Sequence, residues 1–151
     1  MTVTQFLDEI KSLESGIQRI SDVEKKLNGY AYQANFSLDN IPSADVEQIT
    51  ENTSNLIKTL KVKMDSLKDH ITTHKSTMIE SDVKMEQNAL DTAVRKFAST
   101  VAAYNATQVE YDKNVKARVK GVLKTVLDKS DAELDEVIES EIGRASCRER
   151  V

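Results

Sequence analysis

The chain has 151 residues, with 25 Asp and Glu against 21 Lys and Arg, and a formal net charge of −4 at pH 7. This acidic balance gives no support to nucleic-acid binding or to adsorption on an anionic membrane, because both require basic surfaces. One proline, four glycines and no tryptophan leave too few turn signals for a sheet, so the sequence predicts an all-α fold.

The first predicted helix covers residues 3–35 and carries a heptad seam, the spacing of a long helix that packs at a shallow angle on its neighbours. The members of the seam are Val3, Phe6, Ile10, Leu13, Ile17, Ile20, Glu24, Leu27, Ala31 and Ala34. Glu24 is the only charged member, and we interpret it as a side chain that reaches solvent at the edge of the seam.

The second predicted helix begins after Pro42, with Ser43 or Asp45 as its cap, and ends at about Ser76. Its seam consists of Val46, Ile49, Thr53, Leu56, Leu60, Leu67 and His74. A parallel row, one position over, consists of Ile57, Met64, Ile71 and Met78. The wider apolar stripe indicates that this helix contacts partners on two sides.

The third predicted helix starts at Ser81 and Asp82 and ends at about Leu127. It carries two rows with a seven-residue repeat: Leu90, Phe97, Tyr104 and Tyr111 in one, and Val94, Val101, Gln108, Val115 and Val122 in the other. Small residues flank the rows and are expected to let neighbouring backbones approach: Ala89, Ala98, Ala102, Ala103 and Ala106. Short connections force successive helices to run antiparallel, so we predict an up-down-up three-helix bundle over residues 1–127.

An acidic linker is predicted over residues 128–140. Ser130 and Glu133 have the spacing of a capping box, which would start a short helix over residues 132–139. At about eight residues this helix is too short to be stable alone.

The last eleven residues, 141–151, are interpreted as translated sequencing adapter and not as native protein. The codons ATC GGA AGA GCG TCG TGT AGG GAA AGA GTG encode residues 142–151 and resemble a short-read adapter, whose leading AG would complete the codon of Glu141. The only cysteine, Cys147, lies in this segment. On this interpretation the natural sequence is interrupted near Ser140.

The third helix and the linker resemble the syntaxins, the target-membrane Qa-SNAREs of exocytosis. The residues of the third helix that carry the resemblance are Arg95, Lys96, Phe97, Tyr104, Asn105, Ala106, Thr107, Gln108 and Tyr111. Residues 132–140 resemble the acidic syntaxin linker, and residues 6–10 the entry to the first helix of the family.

The resemblance implies an N-terminal three-helix regulatory (Habc) domain, followed in the family by a SNARE motif and a C-terminal membrane anchor. Its implied partners are its own SNARE motif, other SNARE proteins and Sec/Munc-family regulators. In the closed state the SNARE motif lies between the second and third helices. Leu134 and Asp135 occupy the linker positions of a Leu-Glu pair that holds the closed state; the alternative is a solvated acidic turn.

The row on the second helix suggests which residues line such a groove. Ile57, Met64 and Ile71 would form one side, with Ala102 and Val109 of the third helix on the other. The alternative is that these residues complete the core of the bundle.

The sequence also predicts the cellular location of the protein. The sequence shows no secretory signal and no run of about 20 apolar residues. We therefore expect this fragment to be cytoplasmic and soluble. The full-length protein is expected at the cytosolic face of a membrane, by the resemblance the plasma membrane, held only through the missing anchor.

We expect no enzyme and no cofactor, because the chain lacks phosphate-binding loops and nucleophile motifs. His70 and His74 have a spacing that can bind zinc, but no third ligand is evident, so we expect no metal site. The alternative to a trafficking regulator is a structural coiled-coil or spectrin-like spacer, although the unit does not repeat within the chain.

Overall fold

A computed structural model describes residues 1–39 and 41–127 of the chain. These residues form helices α1 (Val3–Ala34), α2 (Ser43–His74) and α3 (Glu80–Leu127), and this described part contains no strand. The predicted all-α, three-helix bundle is therefore confirmed. The predicted linker helix, with Leu134 and Asp135, lies outside the described residues, as do residues 141–151.

Local hydrogen bonds define where the helices begin. At the start of α1, the Gln5 amide donates to Thr2 Oγ1 (3.1 Å), and the Thr2 amide donates to Gln5 Oε1 (2.8 Å). This reciprocal pair is a capping box, which satisfies two amides that lack partners within the helix. Pro42 precedes α2, and its carbonyl accepts a hydrogen bond from the Val46 amide at 3.0 Å.

The chain divides into two compact units, and each is built from a segment of every helix. Unit 1 contains Met1–Asp22 and Asn55–Ala102, and unit 2 contains Val23–Ser54 and the rest of α3 from Ala103. The short connection between α1 and α2 lies in unit 2, and the short connection between α2 and α3 lies in unit 1. Short connections of this kind make the two helical segments that they join antiparallel.

Apolar side chains, most of them large, fill the core of unit 1. They are Phe6, Ile10, Leu13, Ile17 and Ile20 of α1, Ile57, Leu60, Leu67 and Ile71 of α2, and Leu90, Ala93 and Phe97 of α3. Gly16 is buried among them, and a Cβ atom there would lie 2.7 Å from Leu60 Cδ2. The missing side chain of Gly16 therefore lets Leu60 approach α1 closely.

The core of unit 2 is smaller and more polar. Its buried residues are Leu27, Ala31 and Ala34 of α1, Val46, Thr50, Thr53 and Ser54 of α2, and Tyr104, Thr107 and Gln108 of α3. Side chains of α3 also bond to the carbonyl groups at the end of α1. Asn114 Nδ2 donates to the Ala31 carbonyl (2.8 Å), and the Arg118 guanidinium donates to the Phe36 carbonyl.

Burial agrees with the predicted seam of α1, whose members are all buried except the half-buried Val3 and Glu24. The predicted role of the flanking alanines is wrong for four of them, because they are exposed: Ala98, Ala102, Ala103 and Ala106. Two valines assigned to the second row of α3, Val94 and Val122, are also exposed.

None of the described helices combines the length and the apolar character that crossing a membrane requires.

Candidate helix-binding groove

Unit 1 contains a groove between the C-terminal part of α2 and the N-terminal part of α3, with a cavity volume of about 330 Å³. It is lined by Met64, Asp65, Lys68, Ile71 and Thr72 of α2 and by Gln87, Leu90, Asp91 and Val94 of α3. We refer to these nine residues as the α2–α3 groove.

The floor of the groove is apolar. Ile71 and Leu90 are buried, Met64 is half-buried, and Val94 is 39% exposed. Residues three, four and seven apart lie on the same face of a helix, which is why Met64 and Ile71 line the groove together, as do Leu90 and Val94. From Met64 to Ile71 the floor extends by about 10 Å, or two helical turns.

The rim of the groove is polar and carries both signs of charge. Asp65 and Lys68 are exposed on α2, and Asp91 is exposed on α3. An apolar floor between charged rims fits an amphipathic helix that anchors residues spaced three, four and seven apart. Such a helix would need charges of both signs beside its apolar stripe.

Glu86 and His70 form a buried ionisable pair, and each of them is adjacent in sequence to a groove residue. Glu86, next to Gln87, has a fully buried side chain, and its Oε1 atom lies 3.5 Å from Nε2 of His70, the neighbour of Ile71. His70 in turn packs against Phe6 of α1, with ring centroids 5.8 Å apart, and against His74, at 4.6 Å.

The environment of Glu86 favours its protonated form. Burial raises the pKa of its carboxyl group above the ordinary value, and Asp82 raises it further. His70, His74 and the α-ammonium group of Met1 act in the opposite direction on this pKa without cancelling the effect of burial.

The two histidines are accounted for by these contacts. His74 Nδ1 lies 3.0 Å from the His70 carbonyl oxygen, one turn earlier in α2. Within residues 1–39 and 41–127, no group of three or more His, Cys, Asp or Glu side chains is placed to hold a metal ion.

The structure brings only part of the predicted groove lining together. Met64 and Ile71 line the α2–α3 groove. Ile57 is 0% exposed and lies in the core of unit 1, so it offers no surface to a partner. Ala102 is exposed in unit 1 but does not line the groove, and Val109, 45% exposed, belongs to unit 2.

The residues that carry the syntaxin resemblance are distributed over both units, and several of them are core residues. In unit 1, Phe97 is buried, while Arg95 and Lys96 are exposed. In unit 2, Tyr104, Thr107 and Gln108 are buried, Asn105 and Tyr111 are half-buried, and Ala106 is exposed.

Two of these unit 2 residues, Thr107 and Tyr111, interact with groups on α1. The Thr107 hydroxyl donates a 2.7 Å hydrogen bond to Glu24 Oε1, so the charged member of the α1 seam has a partner on α3. Burial raises the pKa of the Tyr111 phenol, and Asp112 and Tyr30 add to this effect. The phenol therefore stays protonated at neutral pH.

Sequence reasoning missed Glu86 and the groove role of seven residues: Asp65, Lys68, Thr72, Gln87, Leu90, Asp91 and Val94. A signal for Glu86 was present, since it lies four residues before Leu90 and seven before Ala93, on the buried face of α3. Val94 was assigned to a packing row of α3, because its spacing alone does not distinguish a groove position from a core position.

No protein-family model matches the sequence. The structure is similar to that of a chain in the crystal structure of the Unc18–syntaxin 1 complex from Monosiga brevicollis, with a TM-score of 0.75 and 12% sequence identity. The match covers 98% of this chain and 73% of that chain. At this identity the similarity establishes a shared helical fold and assigns no role to any residue.

Proposed function

We propose that this chain is the N-terminal regulatory domain of a syntaxin-type SNARE, which controls SNARE assembly in vesicle docking and membrane fusion. The α2–α3 groove is the observation that carries the proposal, because its apolar floor and mixed-charge rim suit one amphipathic helix. Among the partners implied by the syntaxin resemblance, the SNARE motif is such a helix. The shared fold with a chain of an Unc18–syntaxin 1 complex is consistent with this assignment.

The proposed mechanism is a two-state switch. A SNARE motif that lies in the groove is withheld from assembly with other SNARE proteins, and its release permits assembly. A motif tethered to the bundle binds at an effective concentration in the millimolar range, so a groove of about two turns is sufficient for useful occupancy. The switch involves no chemical step, and we propose no enzymatic activity.

A Sec/Munc-family regulator would bias this switch by binding the occupied state more tightly than the empty one. We place the full-length protein at the cytosolic face of the plasma membrane, held by an anchor that follows the SNARE motif.

The proposal is tested by the affinity of a fluorescein-labelled syntaxin SNARE-motif peptide for the 151-residue chain, measured by fluorescence anisotropy. Val94→Asp places a carboxylate on the groove floor and is expected to weaken binding about tenfold or more, a loss of ~1.4 kcal/mol. Val122→Asp is the matched control, because Val122 is an exposed valine of α3 in unit 2.

Equal affinities for the wild type and Val94→Asp would refute the assignment of the groove. A loss of binding in Val122→Asp alone would move the site to unit 2.

A further inference from the structure

The buried carboxylate of Glu86 lies 3.5 Å from Nε2 of His70. Neither of its oxygens, nor His70 Nε2, has a hydrogen-bond partner among the described residues. The side chain of His70 is 11% exposed and that of Glu86 is fully buried. A buried polar group without such a partner is costly, and this cost depends on its charge.

The groups that face Glu86 come from three parts of unit 1. His70 and His74 lie on α2, Asp82 lies on α3 one turn before Glu86, and the α-ammonium group of Met1 precedes α1. The α1 contact on His70 is the uncharged ring of Phe6. His70 is therefore the group best placed to share a proton with the carboxylate.

We propose that Glu86 and His70 form a proton-dependent lock between α2 and α3, and that the proton held by this pair controls the packing of the α2–α3 groove. The existence of the lock is independent of the proposed function. The role of the lock in regulating a bound helix rests on that proposed function.

The lock is coupled to the groove through the chain. Ile71 follows His70 directly, and Leu90 lies one helical turn after Glu86, so a change in the distance between Glu86 and His70 displaces both buried floor residues. Because protein interiors are close-packed, such a displacement changes the packing around the half-buried Met64 on the same floor.

The direction of the effect follows from charge. A protonated Glu86 carboxyl group is neutral, so its burial beside His70 costs less than that of a carboxylate. Loss of this proton leaves a lone carboxylate in an apolar core, which favours separation of α2 from α3 and entry of water. The stabilisation is fully present below the ordinary carboxyl pKa and is lost as pH rises through the raised pKa of Glu86.

The test uses the complete 151-residue chain, labelled with ¹³C at the methionine methyl groups, without any peptide. The Met64 methyl resonance is followed by NMR from about pH 4 to about pH 8, a range that spans the titration of carboxyl and imidazole groups. We expect an inflection above the ordinary carboxyl pKa in the wild type and none in Glu86→Gln. Glu80→Gln removes an exposed carboxylate of α3 and is the control. This variant is expected to show the same inflection as the wild type.

A second variant tests the pair itself. His70→Asn removes the histidine that opposes the rise of the Glu86 pKa, so the inflection is expected to shift to higher pH. The proposal is overturned if the Met64 resonance is insensitive to pH, if Glu86→Gln keeps the inflection, or if His70→Asn leaves its position unchanged. Because no peptide is present, these outcomes are independent of whether the chain binds a SNARE motif.

Discussion

Gly16 and Gly29 both lie inside α1, yet their surroundings differ. Gly29 is exposed, and apart from the adjoining residues of its own helix no heavy atom lies within 4 Å of an added Cβ, whereas Gly16 faces Leu60. We expect Gly29→Ala to stabilise the chain by about 0.5–1 kcal/mol, the cost of a glycine in a helix interior. Urea unfolding of the full chain measures the change.

Gly16→Ala is the matched substitution. It gains the same helix propensity but forces the Leu60 side chain to move, so the net gain is expected to be smaller or negative. Equal stabilisation by both substitutions would show that Leu60 does not pack against Gly16 as described.

The bond between Thr107 and Glu24 provides a second test at the scale of the residue. Thr107→Val keeps the shape but removes the donor to a half-buried carboxylate, and we expect a loss of about 1–3 kcal/mol in the free energy of unfolding. Thr92→Val is the control, since the hydroxyl of Thr92 is exposed and bonds to its own helix. Similar small losses for both variants would contradict the pairing.

The sequence predicted where Glu24 lies but not what it contacts. Its position in the seam follows from periodicity within α1, whereas its partner is 83 residues away. Glu86 was missed for a related reason: a charged residue within an apolar row is ordinarily assigned to the surface. Partners of this kind are set by how three helices meet, and local spacing contains no such information.

Among the elements, α1 has the best-defined start. Thr2→Ala removes one acceptor of the capping box and is expected to cost about 1 kcal/mol and to speed hydrogen exchange in the first turn of α1. Thr4→Ala, at an exposed position of the same turn, is expected to leave the stability within about 0.5 kcal/mol. If both substitutions cost the same, the capping box contributes nothing specific.

The helices themselves were predicted to within a few residues because their breaks contain Pro42 and polar turn residues. The faces of α3 were predicted less well. A row with a strict seven-residue repeat drifts around a straight α-helix by about 20° per heptad. The second row of α3 therefore begins exposed at Val94, passes through the core at Gln108 and returns to the surface at Val122. Because of this drift, the heptad row did not indicate that Val94 is exposed and lines the groove.

For the whole molecule, the two units differ in what they bury. Unit 1 buries large apolar side chains, whereas unit 2 buries alanine, serine and threonine at many of its core positions. Apolar burial contributes about 25 cal/mol per Å², so unit 1 should be the more stable. In native-state hydrogen exchange we expect amides of residues 10–20 and 57–71 to be protected more strongly than those of residues 27–34 and 46–54. Uniform protection would show that the difference in core composition has no energetic consequence.

The oligomeric state of the whole chain distinguishes a regulatory bundle from the competing interpretation, a structural spacer. A regulatory bundle is expected to be monomeric by multi-angle light scattering of the full chain, while a rod-like spacer forms an obligate dimer. An obligate dimer would favour the spacer.

Binding of an amphipathic helix in the α2–α3 groove can be mapped residue by residue with NMR. The ¹⁵N-labelled chain is titrated with an unlabelled syntaxin SNARE-motif peptide, and amide shifts are followed for every described residue. We expect the largest shifts on residues 64–72 and 87–94, and we expect these shifts to disappear in Val94→Asp. Shifts confined to unit 2, or no shifts at saturating peptide, would show that the α2–α3 groove does not bind the SNARE motif.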